Sequence, residues 1–391
     1  MEVPLPLRPP EDGAPPVRPA LVGALDVRSK ADELAALLEA HRGERHLIVL
    51  QDFPDPDAIA SALAYQEMVR PFAIDTTVAH EGLVSHPENR ALVNLLEIDL
   101  HTNLTDAELA AHQGAVFLDN QGTTSRLTPR VRQLGLPVLV VIDHHEPQHV
   151  LEPAFADIRP VGATATILAE YLRSERFLRL DRLVPAHIRL ATALLHGLHS
   201  ETGHFVRATP PEYEAAAFLS RFADPEVLER ILGVRRSHGT MDVIQIALAR
   251  RLLRGGFSLA GVGYVRWEDR DAIPQAADFL LTEENVHTAI AWGIVEDGEG
   301  HEVVAGSLRT TSDVLGVDSF LKRALGRDAS GRAYGGGRYR SGGFEIDVGF
   351  LADPEATPAE RQAKWELYDR LLRRRLLRAA GLDEEDHAMA S

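Results

Sequence analysis

A short apolar run that ends in carboxylate or imidazole side chains recurs along the first part of this chain, and no other feature limits its fold as much. His46–Gln51 leads to Asp55 and Asp57, Val116–Leu118 leads to Asp119, and Val138–Ile142 leads to Asp143, His144 and His145. Such runs, separated by helical stretches such as Ala58–Arg70, predict strands alternating with helices and therefore a largely parallel sheet covered on both faces. The expected fold class is α/β. Residues just past the strands of an open parallel sheet line its carboxyl edge, where ligands bind. Any one of these acids is adequately explained as a helix cap or turn residue. Several strand ends together bring acidic and imidazole groups to one edge, and their mutual repulsion calls for a cation.

The chain has no cysteine, which excludes disulfides, thiolate metal sites and cysteine nucleophiles and leaves His and carboxylates as the strong metal ligands. Pro54 and Pro56 flank Asp55 and stiffen the loop that carries Asp55 and Asp57. A hard set of oxygen and imidazole donors points to Mn²⁺ or Mg²⁺, with one or two ions, about 3.5 to 4 Å apart where a carboxylate bridges them. No apolar run approaches the roughly 20 residues that span a bilayer, and the start MEVPLPLRPPEDGAPPVRP lacks the pattern of a signal peptide. The expectation is a cytoplasmic protein without a membrane partner. A net charge of −17 disfavours a sequence-independent grip on duplex DNA, whereas a short anion held by a few local arginines fits.

With 391 residues, 45% of them hydrophobic, the chain can fill two cores, since one core rarely extends past about 250 to 300 residues. Residues 1–22 are dense in proline and predict a disordered tail. The first domain is expected over 23–233, with later helices at Ala163–Arg173, Pro185–Ser200 and Pro210–Arg221. A helical linker over 234–256 carries Arg235, Arg236, Arg250, Arg251 and Arg254 and is broken by Gly255-Gly256. A smaller α/β domain over 257–352 has strand-like runs at Leu259–Val265, Thr288–Val295 and Val303–Leu308 and ends in the glycine-rich stretch from Gly335 to Gly343. Residues 353–391 form a C-terminal helix and tail. Thr357-Pro358-Ala359-Glu360 opens that helix as a capping box, and Arg373-Arg374-Arg375 reads as a solvated face.

Asp55-Pro56-Asp57-Ala58, Asp119, Asp143-His144-His145, Gly162-Ala163-Thr164 and Gly335–Gly337 follow the order seen in DHH phosphoesterases, which the chain resembles from about residue 45 to 350. Its C-terminal part resembles the glycine-rich DHH-associated domain of bacterial nanoRNase/pAp phosphatases and RecJ-type exonucleases. The resemblance implies an N-terminal parallel-sheet domain, a smaller glycine-rich α/β domain and a cleft between them. It implies that Asp55 and Asp119 serve one metal, that Asp57, Asp119, His144 and a fourth-motif acid serve the other, and that Asp119 bridges. His145 would lie beside the substrate phosphate or leaving oxygen, and Asp143 would orient a histidine. In the second domain Arg309 matches a phosphate or terminal-group clamp, and Gly335, Gly336 and Gly337 can bring backbone amides to a phosphate or base.

The chain departs from that pattern at three positions. Gln51 stands where a metal-binding His is usual and is a poorer donor, Glu201 stands where an Asp is usual, and Arg338 stands where a His follows the glycines. His196, His199 and His204 surround Glu201 in sequence, and one could replace the lost imidazole, although a packed role is the commoner one. The function implied is hydrolysis of short oligoribonucleotides, or of pAp and linear or cyclic dinucleotides, to mononucleotides. The expected partners are short RNA or small nucleotides, and a homodimer is left open. Two alternatives stand beside it: a RecJ-like exonuclease on longer single strands, and a nucleotide-binding sensor with attenuated catalysis. The exonuclease would need an aromatic and basic track, and the chain is only 6% aromatic.

Overall fold

The computed structural model describes residues 24–84, 86–296, 300–338 and 340–382, so the expected tail over 1–22 lies outside the described residues. The chain divides into two compact units, one spanning Met1–Leu83 and Leu95–Leu228, the other Val84–Asn94 and Glu229–Ser391. In chain order the first part runs α1 (Ala24–Ala40), β1 (Arg45–Val49), α2 (Pro56–Val69), β2 (Asp75–Ala79), α3 (Pro87–Leu95), α4 (Asp106–Ala110), β3 (Gly114–Leu118) and α5 (Leu127–Gln133). It continues with β4 (Val138–Asp143), β5 (Phe155–Ile158), α6 (Thr164–Arg173), α7 (Pro185–Glu201), α8 (Pro210–Leu219) and α9 (Pro225–Leu232).

The five strands of the first unit form a wholly parallel sheet in the order β2-β1-β3-β4-β5. The order reverses between β1 and β3, which opens a crevice outside their carboxyl ends. Leu47, Val49, Phe117 and Val141 pack on one face against Leu127 and Val131, and the alternating Ile48, Val116 and Ile142 are buried as well. Burial on both faces is why these strands read as continuous apolar runs. The loop after β1 turns into α2 through Asp55, which caps the helix by accepting from the Ala58 N–H, with Pro56 in the first turn. Gly197 lets α7 lie close to that turn, because a Cβ there would stand 3.0 Å from the Pro56 carbonyl oxygen and 3.1 Å from Asp57 Cα.

The second unit adds α10 (His238–Arg250), β6 (Leu252–Arg254), β7 (Phe257–Arg266), α11 (Ala272–Leu280), β8 (Thr288–Glu296) and β9 (Glu302–Thr310). It ends with α12 (Val317–Leu325), β10 (Gly335–Arg338), β11 (Ser341–Asp347) and α13 (Pro358–Ala379). Its sheet has the order β10-β11-β9-β8-β7-β6, parallel between β7 and β8 and antiparallel elsewhere. One face carries bulky residues, Phe257, Leu259, Trp292 and Leu308, and takes α12 and α13. The other carries Ala260, Ala289, Ala291 and Ala305, which allow α10 and α11 to sit close.

The connector and the C-terminal helix, expected as separate segments, are part of this unit. Each has an apolar stripe that needs a sheet face: Val243, Ile244 and Ala247 on α10, and Trp365, Leu372, Leu376 and Leu377 on α13. The connector is also not helical throughout, since within 234–256 the helix runs over His238–Arg250 and Leu252–Arg254 pairs as an edge strand. The expected solvated arginine face is corrected at two of its three positions. Arg373 bonds Asp369 at 2.8 Å and the Leu259 carbonyl at 3.1 Å and lies over the Trp292 ring, while Arg375 donates to the Leu325 carbonyl at 3.0 Å. No helix among the described residues is long and apolar enough to cross a membrane.

The glycine run pairs as a hairpin, with Gly336 opposite Gly343 and Gly337 opposite Gly342. It lies flat against α12: a Cβ on Gly337 would stand 2.4 Å from Val317 Cγ1 and 2.6 Å from the Ser341 carbonyl oxygen. Gly337→Ala is therefore expected to destabilise the protein by about 1 to 3 kcal/mol through overpacking. A urea denaturation midpoint equal to that of the parent protein would show that the hairpin gives way without cost.

Candidate active site and metal centre

Asp55 and Asp57 follow β1 on the stiff turn into α2, and each carboxylate is held by a different set of donors. Asp55 Oδ1 accepts from the Ala58 N–H at 2.9 Å, and its Oδ2 accepts from the Gln51 side-chain amide at 2.8 Å. Gln51 thus acts on Asp55 through its amide nitrogen. Asp57, fully buried, reaches across to the start of α6, where its two oxygens accept from the Thr164 and Ala165 N–H groups at 2.7 and 2.8 Å. Each carboxylate oxygen keeps a second lone pair for another partner.

Asp119 closes β3 with φ at +57°, in the left-handed region, at a cost on the order of 1 kcal/mol. It is 2% exposed, and the Thr164 hydroxyl donates to its Oδ1 at 2.9 Å. Thr164 therefore joins Asp57 and Asp119. The turn beyond is fixed by Asn120, whose amide nitrogen donates to the Val49 and Leu118 carbonyls at 3.0 Å, tying β1 to β3 at the site's edge.

Asp143 ends β4 and is fully buried. Its Oδ1 takes His145 Nδ1 at 2.7 Å and the His144 N–H at 2.8 Å, and its Oδ2 takes the Gln121 amide at 2.7 Å. Burial alone would raise this carboxyl, but the bonds from His145 and Gln121 outweigh it and hold it below the ordinary range. His144 turns the other way. Its Nδ1 lies 3.1 Å from the Val161 carbonyl, to which it donates, and its Nε2 is buried without a hydrogen-bond partner, 3.5 Å from Asp119 Oδ1 and 4.0 Å from Glu201 Oε1. Burial, and then the adjoining His145, lower its imidazole and favour the neutral form.

Asp119, His144 and Glu201 thus converge. His145 Nδ1 is 3.9 Å from Asp119 Oδ1, but it is committed to Asp143, so His145 stands beside the trio. Burial, followed by their charged neighbours, pushes the Asp57 and Asp119 carboxyls well above the usual range, and burial with Asp55 pushes Glu201 up to about 7. A lone pair of His144 aimed at carboxylates is repulsive unless a cation lies between them. Two donors on one ion, each at about 2.1 Å, stand roughly 3.0 to 3.4 Å apart, so small movements close the observed 3.5 and 4.0 Å spacings around a divalent cation. The residues present fit a divalent ion.

His199 and His204 do not join this group. On α7 His199 precedes Glu201 by two residues, roughly 200° around the helix, and its Nε2 meets His204 Nδ1 at 3.2 Å. In the second unit Arg309, on β9, holds Asp278 at 2.8 Å and the Ser307 hydroxyl at 2.8 Å. Gly335, Gly336, Gly337 and the Arg338 backbone form β10, and the Arg338 side chain lies outside the described residues. The Gly337 amide lies near the carboxylate of Asp318, which Lys322 holds at 2.7 Å.

Sequence reasoning did not find Gln121, Asn120 or Glu212. Gln121 and Asn120 directly follow Asp119, and amides in that position were a usable signal. Glu212 gave less: one of its oxygens completes a capping box with Thr209, and the other takes the Gly162 N–H at 2.9 Å, fixing the approach to α6 from fifty residues away.

Residues 46–198 match the DHH family, N-terminal domain. The chain carries the N-terminal domain of the DHH family over that span. An uncharacterized protein of Methanocaldococcus jannaschii is 35% identical over 344 residues, covering 87% of this chain and 65% of that protein, so the chain spans just under two thirds of its relative's length. In structure the chain is similar to an exopolyphosphatase-related protein from Bacteroides fragilis, with a TM-score of 0.62 at 16% identity over 88% of this chain and 98% of that one, a likeness of fold. A weaker similarity, TM-score 0.44 at 15% identity over 91% and 56% of the two chains, is to RecJ from Thermus thermophilus in complex with Mn²⁺.

Raised carboxyl pKa values make the metal-free cluster sensitive to pH. Carboxyls that bind protons more tightly when folded contribute stability at low pH, and that stability is lost as the pH rises from the unfolded value towards the folded one, about 7 for Glu201. In chelator the thermal midpoint should therefore fall between pH 5 and 8 more steeply in the parent protein than in Asp119→Asn. Mn²⁺ should restore it at pH 8 in the parent alone. Equal Mn²⁺ shifts in both proteins would place the ion elsewhere.

Proposed function

We propose that this chain is a divalent-metal-dependent phosphodiesterase that hydrolyses short oligoribonucleotides, with pAp and linear or cyclic dinucleotides as smaller substrates of the same site. The observation that carries this reading is the lone pair of His144 Nε2 facing Asp119 and Glu201 in a buried, carboxylate-rich pocket at the switch point of the sheet. Asp55, Asp57, Asp119, His144 and Glu201 would hold one or two Mn²⁺ or Mg²⁺ ions. Such ions supply Lewis-acid polarisation and neutralise charge on a phosphoryl group undergoing in-line displacement.

The chain's own residues do the rest. Asp143, kept ionised by its hydrogen bonds, holds the His145 imidazole by Nδ1 and so fixes its orientation beside Asp119, where it can give a proton to a leaving oxygen. Gln121 keeps Asp143 in place by bonding its second oxygen. Thr164 and the amides opening α6 fix Asp57 and Asp119, so little reorganisation is needed as charge develops. In the second unit Arg309 holds the carboxylate of Asp278 and the Gly337 amide lies near that of Asp318, and a substrate phosphate would take the place of such an anion. A net charge of −17 and 6% aromatic content suit a short ligand better than a long single strand.

One observation favours a second reading. Gln51 bonds Asp55 where an imidazole would otherwise complete a metal site, which suits a nucleotide-binding protein with slow turnover.

The test is turnover of a labelled RNA ladder from two to about twenty nucleotides, with pAp and a matched DNA ladder, in Mn²⁺, Mg²⁺ or chelator. Mn²⁺-dependent loss of the shortest RNAs is expected; activity rising with length would indicate an exonuclease, and binding without product would indicate the sensor. Asp119→Ala should lower turnover by about a thousandfold or more and Asp143→Asn by about 10 to 100-fold. Gln51→His should preserve or raise turnover and reduce the Mn²⁺ required. Near-normal turnover by Asp119→Ala would sink the proposal.

A further inference from the structure

At the opposite, N-terminal end of β1 a second group of metal-type donors gathers. His41 and Glu44 lie in the turn that leaves α1, and His46 is in the strand itself. His46 and Gln51 are five residues apart along extended chain, so this group stands roughly 15 Å from the carboxyl edge. We propose that His41, Glu44 and His46 form a binding site for a transition-metal ion of the Zn²⁺ class.

His41 Nδ1 is 2.8 Å from Glu44 Oε2, and His46 Nε2 is 3.8 Å from the same oxygen. His46 is 1% exposed, and its Nε2 is buried without a hydrogen-bond partner while pointing at that carboxylate. Its other ring nitrogen, Nδ1, is 2.9 Å from the hydroxyl of Tyr65, which is itself fully buried. With an ion at Nε2, Nδ1 carries the ring proton and donates it to the Tyr65 hydroxyl, which fixes the ring as an acceptor at the second ring nitrogen does for metal-binding histidines in general. Burial favours the neutral imidazole, the form that ligates.

The neighbouring His112 does not compete for the site. Its Nδ1 meets the Leu109 carbonyl at 3.0 Å and its Nε2 meets the Thr77 hydroxyl at 2.9 Å, so both its ring nitrogens are engaged. His41 and Glu44 are 26% and 31% exposed, which gives an ion a path in and leaves room for water as a fourth ligand. Two imidazoles and one carboxylate suit Zn²⁺, whereas the carboxylate-rich group around Asp119 suits Mn²⁺ or Mg²⁺, so the two sites select different metals. An ion here would clip the end of α1 to β1 and act on stability.

Zn²⁺ titration calorimetry on the full chain tests this, comparing Asp119→Asn with the same protein also carrying His41→Ala and Glu44→Gln. The added substitutions lie on half-buried side chains and should leave the metal-free circular dichroism spectrum unchanged. The expected result is the loss of one Zn²⁺ equivalent, or at least about a tenfold weaker affinity, together with loss of the strong visible absorption that Co²⁺ shows in a four-coordinate site. Identical Zn²⁺ stoichiometry and affinity in the two proteins, or no Zn²⁺ uptake by either, would overturn the proposal.

Discussion

Thr164 holds the candidate active site together. Its backbone N–H goes to Asp57, its hydroxyl goes to Asp119, and the next amide, of Ala165, goes to the second oxygen of Asp57. One residue at the start of α6 thus binds the turn after β1 to the end of β3. The positive end of that helix, with its unpaired N–H groups, offsets much of the cost of burying Asp57. Gly162 then passes its N–H to Glu212, whose other oxygen caps α8, so the approach to α6 is fixed in turn. Without this chain of bonds the buried Asp57 and Asp119 carboxylates would lose the donors that hold them among like charges.

Much of the sheet was legible in the sequence. Central strands buried on both faces must be apolar throughout, and β1, β3 and β4 fall within two residues of the runs that predict them. The edge strands were not legible, because an edge strand carries less of the core. Asp75–Ala79 is half polar, and Phe155–Ile158 alternates between buried and exposed over only four residues. The capping box at Thr357 also identified α13 while saying nothing of what it covers. Its arginines read as solvent-facing because a guanidinium's ability to bond backbone carbonyls and lie on a tryptophan ring is invisible until the sheet beneath is known.

At the site, residue type and position after a strand were enough to single out the acids and histidines. Their support was hidden because it comes from far away in the chain: Thr164 meets Asp57 across 107 residues. Asp55 shows how the plain and functional readings coincide, since it caps α2 and also borders the pocket. The glycine run has the same double character. Packing against Val317 and Leu321 is a sufficient reason for Gly337 and Gly342, while a Cβ added at Gly336 would come within 4 Å of the Asp318 carboxylate alone, at 3.1 Å, so close packing and an anion-facing backbone share one hairpin.

Two buried acids at neighbouring strand ends have opposite electrostatic fates, and the difference divides the work of the site. Asp143 is compensated from within the protein, by His145, Gln121 and two backbone amides, so it stays ionised whatever else binds. Asp119 receives one neutral hydroxyl and faces Asp55, Asp57, Asp143 and Glu201, with a neutral imidazole lone pair turned towards it. Gln51 adds no charge that would relieve this, because an amide can only hydrogen-bond Asp55. Glu201, on the longer side chain, stays partly exposed and can meet or leave the cluster as its charge demands. The fold therefore builds one self-sufficient carboxylate to orient a histidine and leaves the rest in deficit, and only positive charge from outside the chain can make up that deficit.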